Sequence, residues 1–105
     1  HLARVLLEVR MAYDQQETNY LLNQLETFRL YVRRQRKMSA KDQRSYLNYV
    51  RFAKALATLR HQEDYMVREQ FSQKLASLHE KIKGTSLVVA KHWLLQESQS
   101  EVVNA

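Results

Sequence analysis

The scarcity of turn-forming residues is the feature that most restricts the fold of this chain. Its 105 residues include a single glycine, Gly84, and no proline. Turn-rich β folds and long catalytic loops depend on both residue types, so neither is expected here. The residues that remain include many strong helix formers, such as leucine, alanine, glutamate, lysine and arginine. The sequence therefore predicts an all-α fold.

Apolar residues recur at intervals of three and four along the first half of the chain, which predicts amphipathic helices. We place the first helix at residues 2–15 and the second at residues 18–35. The third begins after Ser39, because Ser39 and Asp42 form a variant of the capping box. Apolar residues surround most of the third helix, so we expect it at the centre of the fold. They are Tyr46, Leu47, Tyr49, Val50, Phe52, Ala53, Ala55, Leu56, Ala57 and Leu59.

The second half of the chain predicts two further helices. The fourth is placed at residues 63–83, and Gly84 follows it at the position of a left-handed C-cap. The fifth is short, at residues 87–96, with Ser86 as its N-cap. The residues expected to face inward are Tyr65, Met66, Phe71, Leu75, Leu78 and Ile82 in the fourth helix, and Leu87, Ala90, Trp93 and Leu94 in the fifth.

The predicted helices form one domain. Their short connections favour antiparallel neighbours, so we predict antiparallel helical hairpins, with four long helices and a short C-terminal one. This all-α domain is placed at residues 1–97, and residues 98–105 are expected to be a frayed polar tail. The first residue is His1, and Leu2 enters the helical periodicity without an N-cap residue. We therefore expect the domain to be a fragment of a longer protein.

Several classes of function lack the residues they need. The chain has no cysteine, which excludes disulfides, zinc fingers and thiol nucleophiles and fits a reducing compartment such as the cytoplasm. It has no run of about 18 apolar residues, so we expect no membrane span. Its acidic residues are mostly spread singly, and one glycine cannot build a phosphate-binding loop. We therefore predict a cytoplasmic protein that is not an enzyme and has no catalytic residue and no cofactor.

The histidines do not form a metal-binding pattern. Neither an HExxH motif nor a paired HxxxH spacing occurs. His61 is close to Glu63 and Asp64, but acidic residues at a helix junction are equally explained as caps. His79 and Glu80 are expected on a solvated helix face. No metal site is predicted.

Basic residues are concentrated between residues 29 and 60. Ten of the seventeen Lys and Arg residues lie there against one acid, Asp42, so the stretch carries +9 whereas the whole chain carries +6. Such an asymmetry creates a local positive field. The residues that we expect to bind a partner are Arg33, Arg34, Arg36, Lys37, Arg44 and Arg51.

Three interpretations of this cluster remain open. The last carbonyls of a helix attract cations, and this alone accounts for Arg33 and Arg34. An acidic protein or peptide would be drawn to the same charges. Nucleic acid would also bind a basic patch, although proteins that bind single strands or bases add exposed aromatic residues. Helical spacing assigns most of the nearby tyrosines to the core instead.

Three segments of the chain resemble tetratricopeptide-type helical repeats. Residues 3–34, ARVLLEVRMAYDQQETNYLLNQLETFRLYVRR, look like the second helix of one hairpin followed by the first helix of the next. Residues 45–56, SYLNYVRFAKAL, then supply the returning helix. Residues 88–96, VVAKHWLLQ, are similar to the closing segment of uncharacterised bacterial proteins of this kind. The Gly-Tyr pair and the hairpin-ending proline of the repeat are absent.

The resemblance implies an interaction scaffold, the terminal part of a helical-repeat array, and transfers no catalytic residue. The fourth and fifth helices would then cover the apolar face of the last repeat. A fragment cut from such an array would expose apolar surface on its N-terminal helix, so a homodimer through that helix is a further expectation. The preferred function is protein–protein interaction with an acidic protein or peptide. The alternative is a nucleic-acid-binding helical domain that uses the basic stretch at residues 29–60.

Overall fold

Five α-helices follow one another in the computed structural model, which describes residues 2–99. They are α1 (Leu2–Asp14), α2 (Thr18–Arg33), α3 (Ala40–His61), α4 (Arg68–Lys83) and α5 (Lys91–Glu97). A 3₁₀ turn at Glu63–Tyr65 lies between α3 and α4, and residues 2–99 contain no strand. The predicted all-α fold of four long helices and one short helix is confirmed.

The longest helix, α3, is the centre of the packing. It lies against α2 on one side and against α4 and α5 on the other, while α1 packs on α2. Turns at residues 15–17 and 34–39 reverse the chain between α1, α2 and α3, so these helices form successive hairpins. The molecule is elongated, with extents of 46 × 28 × 18 Å.

The buried core follows the predicted apolar stripes. Phe28, Val50 and Leu56 are buried, and Leu47 is half-buried against the same core. The helix α3 contributes the largest share, as its wide apolar surface predicted. Its buried residues are Tyr49, Val50, Phe52, Ala53, Leu56, Ala57 and Leu59.

The start of α3 is also confirmed. Ser39 has an extended backbone and its hydroxyl accepts a hydrogen bond from the backbone N–H of Asp42 at 3.0 Å. This bond satisfies one of the N–H groups that have no partner in the first turn of a helix.

The prediction of one continuous helix over residues 63–83 is wrong. After the 3₁₀ turn, Met66 and Val67 are extended, and α4 begins only at Arg68. The break lets Met66 pack partly against the core, and Tyr65 is 86% exposed instead of facing inward. An interruption of the helical period therefore separates two neighbours that the apolar pattern had placed on one face.

Gly84 is not a left-handed cap, contrary to the prediction. Its φ of −81° and ψ of −5° are right-handed. Backbone and side-chain donors together satisfy the last carbonyls of α4. Gly84 N–H donates to Glu80 O at 3.0 Å and Thr85 N–H donates to Ile82 O at 3.1 Å. The Thr85 hydroxyl donates to Lys81 O at 2.7 Å, and Lys91 Nζ donates to Lys83 O at 3.1 Å. Because a right-handed backbone already allows these bonds, the position does not require a positive φ.

The fifth helix begins four residues later than predicted, and Ser86 does not cap it. The preceding segment is attached to α3 by the Asn48 amide, which donates to Leu87 O at 2.9 Å, and by Val89 N–H, which donates to Ser45 O at 3.2 Å. Ala90 then adopts a left-handed conformation, with φ 54°, and α5 starts. Contacts with a distant helix therefore override the local helical preference of residues 87–90. Trp93 and Leu94 are buried as expected, and Leu87 and Ala90 are half-buried.

Ser98 does not begin a frayed tail. It is fully buried, and its hydroxyl donates to Leu94 O at 2.7 Å. His79 Nδ1 lies 2.9 Å from the same oxygen. Because the Ser98 hydroxyl already donates its one proton to Leu94 O, it accepts from Nδ1–H in this contact. The expectation that His79 lies on a solvated face is therefore also wrong, since this ring fixes the end of α5 on α4. Most of the predicted tail, residues 100–105, lies outside the described residues.

Candidate interaction surface

The six predicted partner-binding residues lie at one end of the molecule and along the adjoining face of α3. Arg33 and Arg34 end α2, Arg36 and Lys37 are in the α2–α3 turn, and α3 carries the other two. All six are exposed. We call this set the basic surface: Arg33, Arg34, Arg36, Lys37, Arg44 and Arg51.

The turn that carries the basic surface is held in place by its neighbours. The side-chain amide of Gln43 donates to Val32 O at 3.0 Å and to Arg33 O at 3.3 Å, which connects α3 to the end of α2. The Ser39 cap holds the other side of the turn, and Met38 packs partly against the core. The charges are therefore presented from a backbone of fixed shape.

The cations at the two limits of the 29–60 stretch are neutralised within the fold. Arg29 forms a bidentate pair with Glu26, at 2.6 Å for the shortest contact, and Arg60 lies 3.5 Å from Glu63. The hydrogen bonds from the Arg29 guanidinium are the main reason that the pKa of the Glu26 carboxyl lies below its ordinary value. In contrast, no ion pair within residues 2–99 involves a member of the basic surface. These six charges are thus available to a partner.

Arg51 is the member of the basic surface with the best-defined position. Its guanidinium carbon lies 4.6 Å from the ring centroid of Phe52, a cation–π distance. Arg51 also lines a shallow groove of about 470 Å³ between α3 and α4, with Lys54 and Lys74 as further cations. The remaining lining residues are Ala55, Thr58, Leu59, Gln62 and Leu78. The sequence alone does not indicate this groove, because it depends on α4 packing beside α3.

A larger cavity, of about 660 Å³, lies near the α1–α2 turn and the carboxyl end of α3. Its charged lining is mainly acidic, with Asp14, Glu63, Asp64 and Glu97. Arg60 also lines it and donates hydrogen bonds to the Tyr13 hydroxyl at 3.0 Å and to Glu97 O at 2.9 Å. Arg60 falls within the basic stretch at residues 29–60, but it connects helices and does not belong to the basic surface.

The described residues offer no arrangement for metal binding. His61, Glu63 and Asp64 all line the acidic cavity, yet no three His, Cys, Asp or Glu side chains within residues 2–99 are placed to hold an ion. Among the same residues, no helix has both the length and the apolar character required to cross a bilayer.

An apolar strip is exposed on the N-terminal helix. Leu7 and Met11, one turn apart on α1, are 56% and 52% exposed, while Val9 and Ala12 face the core. Beside this strip, α2 contributes Gln24, whose amide donates to a carboxylate oxygen of Glu8 on α1 and to the hydroxyl of the half-exposed Tyr20. This strip is the surface expected to face another hairpin or another copy of the chain.

The chain matches no family model, no curated protein and no solved structure.

Proposed function

We propose that this chain is a non-enzymatic protein-interaction module that binds an acidic protein or peptide through the basic surface. The observation that carries the proposal is the exposure of four cations at the α2–α3 turn and of two more along α3, without an ion pair to any described acid. A purely structural use explains Arg33 and Arg34, which end a helix, but does not explain Arg36, Lys37 or the two cations of α3.

The first effect of the basic surface is on the rate at which the partner associates. A positive field at one end of an elongated molecule steers an acidic partner into the correct orientation and raises the association rate. The Gln43 amide and the Ser39 cap keep the turn in place, so little conformational entropy is lost when the partner binds. Apolar contacts between the hairpins then supply most of the affinity.

We also propose that these hairpins are the terminal part of a helical-repeat array. The support is the succession of α1, α2 and α3 as neighbouring hairpins and the exposure of Leu7 and Met11 on the outer side of α1. In a stacked array, each hairpin covers such an apolar strip of the next. Residues of α4 and α5 join α3 in the buried core, which is expected if these two helices cover the last hairpin of the array.

The test begins with affinity capture by the full chain, followed by association kinetics with each purified partner. Reversing three charges, Arg33→Glu, Arg34→Glu and Arg36→Glu, is expected to slow association about tenfold at low salt and to weaken its salt dependence. The matched control reverses three exposed cations elsewhere, Arg4, Lys81 and Arg68, and is expected to leave most of the rate intact. Equal rates for the two triple variants would refute the steering role.

Binding to nucleic acid is the outcome that would redirect the proposal. A duplex of unrelated sequence is titrated with the wild-type chain at several salt concentrations. Binding that falls steeply with salt and disappears in the Arg33, Arg34 and Arg36 triple variant would favour the nucleic-acid alternative. We expect no binding that survives physiological salt.

A further inference from the structure

The segment between α3 and α4 exposes the two least covered large apolar side chains of residues 2–99. Tyr65 is 86% exposed and Val67 is 70% exposed. The extended backbone at Met66 breaks the helix, and the side chains on either side of it point outward. Exposed tyrosines of this kind are frequent centres of protein interfaces, because the ring offers contact area with few rotatable bonds.

The same segment carries negative charge. Glu63 and Asp64 directly precede Tyr65. Glu63 is engaged with Arg60 at 3.5 Å, whereas Asp64 is exposed. We call residues 63–67 the acidic segment; it combines one exposed carboxylate with two exposed apolar side chains.

The groove between α3 and α4 has the complementary chemistry. Its floor includes Leu59 and Leu78, and its rim carries the three cations Arg51, Lys54 and Lys74, with no acidic residue in its lining. The pKa of the Glu26 carboxyl is lowered mainly by its bidentate pair with Arg29 and to a smaller extent by the charge of Lys54, so this nearby carboxylate is already engaged. A groove of about 470 Å³ is large enough for a tyrosine side chain.

The groove and the acidic segment are neighbours on the same molecule. Gln62 lines the groove, and the acidic segment begins with the next residue. A segment cannot fold back into the groove that it borders without unwinding the end of α3. A twofold axis beside Gln62, however, brings the segment of each copy to the groove of the other, and such isologous contacts are the commonest in homo-oligomers.

We propose that two copies of this chain form a symmetric dimer in which the acidic segment of each copy occupies the α3–α4 groove of the other. Tyr65 enters the apolar floor, and Asp64 lies between Lys54 and Lys74 of the opposite copy. The inference goes beyond the proposed function, because neither of these lysines belongs to the basic surface. Arg51 belongs to both surfaces, so it is left unchanged in the experiment.

The experiment measures the mass of the full chain by sedimentation equilibrium from about 1 µM to about 1 mM, the range in which a small interface associates. The wild type is expected to approach the mass of a dimer. The double variant Lys54→Glu, Lys74→Glu is expected to weaken dimerisation at least tenfold. The net charge of this variant falls from +6 to +2, which weakens the general repulsion between two copies. A loss of the dimer therefore cannot come from overall charge and must come from the changed groove.

A charge exchange identifies the contact. Asp64→Lys alone is also expected to be monomeric, because its new cation meets Lys54 and Lys74 of the other copy. An equimolar mixture of Asp64→Lys with the Lys54→Glu, Lys74→Glu chain restores a heterodimer, since both of its grooves meet a segment of opposite charge. All three positions are exposed, so folding is expected to be retained and is checked by circular dichroism.

The apolar strip on α1 supplies the control. Leu7→Ser with Met11→Ser removes the exposed apolar strip of α1 and is expected to leave the dimer intact. A chain that remains monomeric up to about 1 mM, or one that loses its dimer with the α1 variant and keeps it with the lysine variant, would overturn the proposal. A mixture that fails to restore the heterodimer would overturn it as well.

Discussion

Arg60 and Tyr13 are joined by a hydrogen bond of 3.0 Å from the guanidinium Nε to the phenol oxygen, although 47 residues separate them in the chain. The same guanidinium donates to Glu97 O at 2.9 Å and lies 5.6 Å from the ring centroid of Phe71. One side chain therefore connects α1, α3, α4 and α5. It holds together the end of the molecule that is opposite the basic turn.

Removal of this connection is expected to destabilise the fold. Arg60→Ala loses both hydrogen bonds and the contact with Phe71, and we expect the free energy of unfolding to fall by about 2 kcal/mol. Urea denaturation measures the change. The control is Arg4→Ala, whose exposed ion pair with Glu8 should contribute less than about 0.5 kcal/mol.

A double-mutant cycle isolates the contact between Arg60 and Tyr13. Tyr13→Phe removes only the accepting hydroxyl and is expected to cost about 1 kcal/mol in the wild-type background. In the Arg60→Ala background, the same change should cost much less, because the donor is already absent. Equal costs in both backgrounds would mean that the hydrogen bond adds nothing to stability.

Tyr49 is a position where the fold buries a polar group without satisfying it. Its side chain is fully buried near Trp93, and its hydroxyl has no hydrogen-bond partner among the described residues. We expect Tyr49→Phe to raise the free energy of unfolding by up to about 1 kcal/mol, since only the cost of desolvating the hydroxyl is removed. A loss of about 1 kcal/mol in urea denaturation would instead show that the hydroxyl is hydrogen-bonded in solution.

The burial of Tyr49 also leads us to expect that the protein loses stability at alkaline pH. Burial raises the pKa of Tyr49 well above its ordinary value, and burial also raises the pKa of Tyr13. Below about pH 9 these phenols are neutral in both the folded and the unfolded chain, so they add no pH dependence. Above about pH 10 the unfolded chain releases their protons first, so the free energy of unfolding falls as the pH rises. The fall should be shallower in Tyr49→Phe than in the control Tyr65→Phe, whose ring is exposed.

Local signals in the sequence predict the helices well where a single helix decides the outcome. Ser39 caps α3 as its spacing from Asp42 indicates, and the wide apolar surface of α3 places this helix centrally. Most of the failures lie between α3 and α5. There the side chains of Asn48 and Lys91 supply hydrogen bonds that hold residues 83–89 in place, and no local pattern reveals a donor 39 residues away.

The candidate site shows the same division. The exposed cations around the α2–α3 turn follow from charge pattern and helix ends, so the sequence predicts them. Lys74 joins Arg51 and Lys54 only because α4 packs beside α3, and a charge count along the chain cannot show that. The outward turn of Tyr65 depends on a break in the helix that its apolar neighbours did not indicate.

Ser39 and Ser86 are both predicted N-caps, but only Ser39 caps a helix in the structure. Ser39→Ala removes the hydrogen bond to Asp42 N–H and is expected to lower the free energy of unfolding by about 1 kcal/mol. Ser86→Ala is expected to change it by less than about 0.5 kcal/mol, because α5 begins after Ala90 and Ser86 is exposed. Thermal or urea unfolding compares the two. A cost of about 1 kcal/mol at Ser86 would restore the earlier helix start.

The connection between α4 and α5 begins with a glycine that has a right-handed backbone, Gly84, and ends with an alanine that has a left-handed one, Ala90. Gly84 has φ −81°, and a Cβ added there would lie 3.4 Å from Glu80 O, an ordinary contact. Gly84→Ala is therefore expected to raise the free energy of unfolding by about 0.5 to 1 kcal/mol, because it restricts the unfolded chain without strain. Urea denaturation measures the change, and a loss of stability would mean that the residue needs a positive φ in solution.

At Ala90, with φ 54°, relief of the left-handed strain offsets the entropy that a glycine adds to the unfolded chain. Ala90→Gly is expected to change the free energy of unfolding by less than about 0.5 kcal/mol, whereas Ala53→Gly, buried inside α3, should lower it by at least about 1 kcal/mol. Urea denaturation of the two variants side by side decides the point. Equal losses at both positions would show that Ala90 is not strained.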